Sequence, residues 1–133
     1  MVTSAAIRDS FALPTAVSGI ALATVFCMAS TVRAEAFGVA VLEAMARGLA
    51  VVATDIAGSG LGWLQQHGVT GLQAPPADAG ALAQALRCLL DDADLRARYG
   101  AAGRARWAEL FTAQTMADQT LALYRRLTTT GPN

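Results

Sequence analysis

Leu49-Ala-Val-Val-Ala-Thr-Asp55 is apolar at every position from Leu49 to Ala53. A strand with one wet face alternates apolar and polar residues, because successive side chains point to opposite faces. An unbroken apolar run fits a strand covered on both faces, as in a parallel sheet lying between two helical layers. Just upstream, Val39–Arg47 is an apolar helix stopped by Gly48 in the position after its C-cap. Further upstream, Thr24-Val-Phe-Cys-Met-Ala29 is β-rich and apolar. Strand, loop Ser30–Ala36, helix and strand in this order make a β–α–β unit.

The downstream chain extends this grammar. Asp55–Gly62 is a glycine-rich loop, and Trp63–Gln66 a short helix ending at His67-Gly68. Thr70-Gly71 signals a turn, and Leu72–Ala74 a short edge strand stopped by Pro75-Pro76. Asp78 is an N-cap candidate for a helix with Ala81, Leu82, Ala85, Leu86, Leu89 and Leu90 at helical spacing. Asp91–Asp94 breaks and restarts the helix, and Leu95, Tyr99, Ala102 and Trp107 carry the apolar face to about Leu110. Thr112 can cap a last helix bearing Met116, Leu121, Leu123, Tyr124 and Leu127. The expected fold class is α/β: a partial Rossmann-like three-layer domain with a short parallel sheet and flanking helices. Residues 1–23 are expected to be an atypical N-terminal segment, disordered or an apolar helix, 24–127 an incomplete domain, and 128–133 a frayed tail.

Composition narrows the function. The 133 residues suit one domain, and 54% hydrophobic against 15% charged residues argues against disorder. A formal net charge of +0 gives no electrostatic case for nucleic acid or acidic membranes. All ten basic residues are Arg. Cys27 and Cys88 have no spacing for zinc or a redox pair and are expected to be small core residues. Ser10–Val32 carries no charge, so Phe11–Ala29 also fits a signal peptide or a membrane span. Pro14, Thr15, Ser18, Gly19 and Thr24 dilute that alternative, and a buried strand better suits the loop and helix downstream.

The chemistry concentrates in Glu35-Ala-Phe-Gly-Val-Ala-Val-Leu-Glu43. Glu35 sits at a strand-to-helix corner, and such corners line the ligand crevice of α/β sheets. A carboxylate there can accept from two adjacent sugar hydroxyls; the alternative is an exposed loop residue. Phe37-Gly38 forms the corner. Its glycine frees the amides of Gly38, Val39 and Ala40 from side-chain cover. Phe37 is better suited to packing than to stacking a ligand. Glu43 is the one charge between Val39 and Ala46, so it either faces solvent or is kept for a polar partner such as a ribose diol. His67 fits a turn better than a general base, and Asp55 a supporting position or an N-cap.

Glu35-x7-Glu43 stands with Leu-Glu-Ala-Met-Ala-x-Gly, Val-Val-Ala-Thr-Asp and His67-Gly-Val-Thr-Gly-Leu-x-x-Pro. In this order these stretches resemble the C-terminal domain of the GT4-type (group 1) glycosyltransferases of GT-B fold, from about Thr24 to Leu127. The resemblance implies retaining transfer of a sugar from a nucleotide-diphosphate sugar, UDP- or GDP-linked, commonly without a metal. It implies that Glu35, Phe37 and Gly38 contact the donor sugar. Val39 and Ala40 would present amides to the diphosphate, and Glu43 would take the ribose hydroxyls. No residue is assigned a certain catalytic role.

The departures matter as much. No counterpart of the acceptor-binding domain is recognised, nor of the first part of the donor domain, which supplies an Arg and a Lys to the leaving diphosphate. A metal-free transfer needs positive charge where negative charge develops. Here there is no Lys, and Arg33 is the basic residue nearest the motif. Gly58-Ser-Gly-Leu-Gly62 replaces a Gly-Gly and a further Glu of many relatives, as a subgroup trait. The expectation is a truncated donor-binding domain that binds nucleotide sugar and is inactive alone. Its partners would be an unknown acceptor and a separate N-terminal half or a second copy. Its place would be the cytoplasm or the inner face of the membrane. The rival expectation is a non-catalytic interaction module.

Overall fold

The computed structural model describes residues 24–31 and 38–129. Within them a parallel sheet runs in the order β1 (Val25–Met28), β2 (Ala50–Thr54), β3 (Gly71–Ala74). Val25 pairs with Ala50 and Met28 with Ala53; Val51 pairs with Gly71 and Thr54 with Ala74. Every residue of β2 is buried, as its unbroken apolar run requires. The five helices are α1 (Val39–Ala46), α2 (Leu61–Leu64), α3 (Ala79–Asp91), α4 (Ala93–Leu110) and α5 (Ala113–Thr129).

The period-two alternation of β2 splits the core into two layers. Val51 and Ala53 face Val41, Ala44, Met45, Leu61, Leu64 and Phe111. Ala50 and Val52 face Leu89, with Leu72, Leu82, Leu86, Leu95 and Tyr99 around it. Helix α4 serves both layers: Leu95 and Tyr99 join one, Trp107 and Leu110 the other. It passes the N-terminal end of β2, where Gly100 lies against the Gly48 carbonyl and the Ala50 nitrogen.

The punctuation of the chain is chemical. Gly48 (φ 73°) donates to the Met45 carbonyl at 2.9 Å and Leu49 to that of Ala44 at 3.0 Å, which closes α1 in a Schellman motif. Asp78 caps α3 through its side chain to the Ala81 N–H at 2.8 Å, and Asp92 caps α4 through the Leu95 N–H at 2.8 Å. Thr112 Oγ1 accepts from the Thr115 N–H at 3.1 Å to start α5. Asp78→Ala is therefore expected to lower stability by about 1 kcal/mol, read from the midpoint of urea unfolding.

Several expectations need correction. The short helix after β2 is Leu61–Leu64, not Trp63–Gln66; Gln65 is already extended (φ −109°, ψ 118°). Leu61 and Leu64 are wholly buried, so their packing, not the polar Gln65-Gln66 pair, sets the helix. Gly71 is the first residue of β3 instead of a turn residue. Cys27 and Cys88 are both exposed. Cys27 shares the Val25 face of β1 but lies outside the apolar cluster there; its partial cover pushes the thiol up, which disfavours the thiolate. Cys88 and Leu90 flank Leu89, which takes the inward position on α3. Val25–Met28 is a paired strand, so the last part of Phe11–Ala29 is sheet; residues 11–23 lie outside the described residues. No helix among the described residues is long and apolar enough to cross a membrane.

Candidate functional site

Of the residues singled out by the sequence, Glu35 and Phe37, with Arg33, lie outside the described residues. Gly38, Val39, Ala40 and Glu43 come together at the start of α1. Gly38 holds φ 75°, ψ 53°, the left-handed region that costs an L-residue roughly 1–2 kcal/mol. It is also crowded: a Cβ on Gly38 would stand 2.5 Å from Leu61 Cδ2 and 3.6 Å from Leu64 Cδ2. The corner therefore strongly favours glycine, and α2 forms its back wall.

Beyond the corner, α1 begins as an open helix end. The Gly38 carbonyl accepts from the Val41 and Leu42 amides at 2.9 and 3.2 Å. The Val39 and Ala40 amides meet no acceptor among the described residues. Among the described residues no side chain caps α1, and its first turn holds no acidic residue. Among the described residues nothing compensates the partial positive charge of the helix N-terminus, which suits an anion. Glu43 lies one turn on from Val39, on the same side of the helix. It is half-buried, and its carboxylate has no hydrogen-bond or ion-pair partner among the described residues. An acceptor-only group in that state is ready for donors such as hydroxyls. Two described cations are engaged with backbone carbonyls: Arg47 Nη1 donates to that of Glu43 at 3.3 Å, and Arg106 is bound to α2.

The other candidates take supporting places. His67 Nδ1 accepts from the Gln73 N–H at 2.9 Å, fastening the turn to β3. The neutral ring then carries its proton on Nε2. The Asp55 N–H donates to the Ala74 carbonyl at 2.8 Å. Asp55, His67, Gln73, Pro75 and Pro76 line a cleft of about 320 Å³. A second cleft of about 180 Å³ lies at the carboxyl ends of the strands, among Ala29, Thr31, Thr54, Pro75 and Asp78. Neither is lined by Val39, Ala40 or Glu43, so the candidate site is an exposed helix end and not one of these cavities. Among the described residues no group of three or more His, Cys, Asp or Glu is placed to hold a metal ion.

Sequence reasoning misses the support behind the corner. It places Leu61 in a glycine-rich loop and Leu64 in a helix, and it does not single out Arg106. No local spacing signals them, because the Arg106 bonds to Trp63 and Leu64 span more than forty residues of chain.

Comparison with known proteins bears on the same region. The family model described as "Glycosyl transferases group 1" matches residues 12–106, beginning upstream of Thr24, where the resemblance in sequence starts. The O-antigen chain mannosyltransferase C of Escherichia coli is 36% identical over 98 residues, 74% of this chain and 26% of that protein. A phosphatidyl-myo-inositol mannosyltransferase of Mycobacterium leprae is 37% identical over 109 residues, 82% of this chain and 28% of that protein. The crystal structure of Anabaena Alr3699/HepE in complex with UDP superposes with a TM-score of 0.73 at 26% identity, covering 80% of this chain and 29% of that one. The chain thus spans under a third of the length of each of these proteins. The β–α–β order, the Gly38 corner and the extent of the family match make this chain a member of the group 1 glycosyl transferases, with the α/β architecture of the C-terminal half of their GT-B fold.

Proposed function

We propose that this chain is a donor-binding domain for a nucleotide-diphosphate sugar, UDP- or GDP-linked, in a retaining hexosyl or related transfer. The observation that carries the proposal is the N-terminus of α1, where the amides of Val39 and Ala40, and the carboxylate of Glu43 one turn on, meet no partner among the described residues. The amides and the helix dipole receive the diphosphate. Glu43 accepts from the two vicinal ribose hydroxyls, and the Glu35–Phe37–Gly38 corner receives the sugar. The UDP held by the structural neighbour is consistent with this donor class.

In this proposal binding needs no metal, since the helix end supplies the positive potential. Transfer by the chain alone is negligible, because the sequence holds no Lys and, among the described residues, no cations are assembled at α1 to stabilise the leaving diphosphate. The setting is cytoplasmic or peripheral to the inner face of the membrane. Titration with UDP and with GDP, followed by amide resonances, is the test. Shifts of Val39 and Ala40 with a dissociation constant on the order of 1 mM, about 4 kcal/mol, and unchanged by EDTA, are expected. A well-folded sample with no shifts at millimolar nucleotide would sink the binding claim, and brisk sugar transfer by the isolated chain would sink the claim of inactivity.

A second reading, an interaction module, has one observation in its favour. Helix α5 leaves Met116, Leu123, Tyr124 and Leu127 each more than half exposed along one side. Light scattering separates the two: a monomer that binds nucleotide excludes this reading for the isolated chain.

A further inference from the structure

We propose that Arg106 is a positioning residue for the α1 corner, acting through α2; the proposal deepens the donor-binding reading and rests on it. Helix α2 has only four residues, and a single turn does not hold itself, because nucleation fixes several dihedrals for one hydrogen bond. Its last carbonyls also lack partners within the helix. Arg106, from α4, supplies them. Its Nε donates to the Leu64 carbonyl at 3.1 Å and its Nη2 to the Trp63 carbonyl at 2.6 Å. The guanidinium lies 5.7 Å from the Trp63 ring centre and 5.8 Å from that of Phe111, within cation–π range of both. Those rings meet edge to face at 5.1 Å. A planar fork with a fixed charge satisfies two carbonyls and two rings at once, which an ammonium cannot do.

The other side of α2 carries the constraint to the site. Leu61 and Leu64 are fully buried and stand directly behind Gly38. Gly38 directs the chain into α1 and so aims the Val39 and Ala40 amides. The path is Arg106 to the α2 carbonyls, Leu61 and Leu64 to the corner, corner to amides. Arg106 is engaged by backbone carbonyls and aromatic faces, so it acts on the corner through α2. Arg96 is an internal comparison. It caps α3 in the same way, through Nη1 to the Leu89 and Leu90 carbonyls at 2.7 and 2.6 Å, but α3 packs on the other face of the sheet.

The test uses the full chain and three variants, Arg106→Gln, Arg106→Lys and Arg96→Gln, with UDP as the probe. Melting temperature, UDP dissociation constant and the amide resonances of Gly38, Val39 and Ala40 are measured for each. Arg106→Gln is expected to weaken UDP binding about tenfold, since small misplacements of ligand contacts are costly. It also displaces the three amide resonances in the free protein, and Arg106→Lys recovers less than half of the loss. Arg96→Gln lowers the melting temperature and leaves both readouts unchanged. The proposal is overturned if Arg106→Gln keeps wild-type affinity and amide positions, or if Arg96→Gln weakens binding equally. Should the wild type not bind UDP, the donor reading fails on its own. The free-protein amide resonances then decide the positioning claim, for it if displaced in Arg106→Gln alone, against it otherwise.

Discussion

Gly100→Ala is expected to cost about 3–5 kcal/mol, enough to unfold much of a domain of this size. Two effects oppose each other. Alanine in mid-helix gains up to about 1 kcal/mol over glycine through propensity and a less free unfolded chain. At Gly100, however, a Cβ runs into the carbonyl carbon and oxygen of Gly48, and both are backbone. Neither can rotate away: Gly48 is fixed by the Schellman closure of α1, and Ala50 beside it begins the central strand. Helix α4 would have to lift off β2 and disturb both core layers, so the clash wins. Gly103, one turn later and equally buried, gives the opposite sign. There a Cβ would stand 3.5 Å from Met45 Cγ and 3.9 Å from Thr70 Cβ, ordinary contact distances. Gly103→Ala is expected to be neutral or to stabilise by up to about 1 kcal/mol. Urea unfolding of the pair decides it. Equal destabilisation by both would mean that α4 does not approach β2 through Gly100.

The second large effect falls on binding. Glu43→Ala is expected to weaken UDP binding by about 10- to 100-fold, the equivalent of about 1.5–3 kcal/mol for charge-assisted hydrogen bonds. Glu43→Gln retains one acceptor and loses less. Stability should move the other way or hardly at all, within about 0.5 kcal/mol, because the carboxylate has no partner to lose among the described residues. A residue kept for the fold gives the reverse pattern, lost stability with retained affinity. Isothermal titration and thermal melts on the same preparations separate the two, and unaltered affinity in Glu43→Ala would remove Glu43 from the site.

Much of the frame is legible in the sequence. The β2 run cannot alternate, so it must be covered on two sides, and the structure buries it on both. The Gly48 stop and the Asp78 and Thr112 caps are short-range hydrogen-bond devices, and each sits where its spacing puts it; the break at Asp91–Asp94 is there too, with Asp92 as the cap. The misses share one cause. Helix α2 starts at Leu61 because Leu61 and Leu64 fill space behind Gly38 and beside Phe111, none of which is local to it. Cys27 and Cys88 are apolar enough to be buried but occupy positions that the neighbouring elements do not cover.

The sequence by itself determined the α/β order, the family and the spacing that sets Glu43 one turn into the helix opened by Gly38, because these depend on residue type and spacing along a few turns of chain. Only the tertiary structure decided which of the two α4 glycines is obligatory, and which of the arginines braces the Gly38 corner. Gly100 and Gly103 are alike in sequence, as are Arg96 and Arg106. They differ in what lies across from them, a backbone carbonyl or a yielding methionine, α3 or α2. That is fixed by the packing of elements distant in the chain.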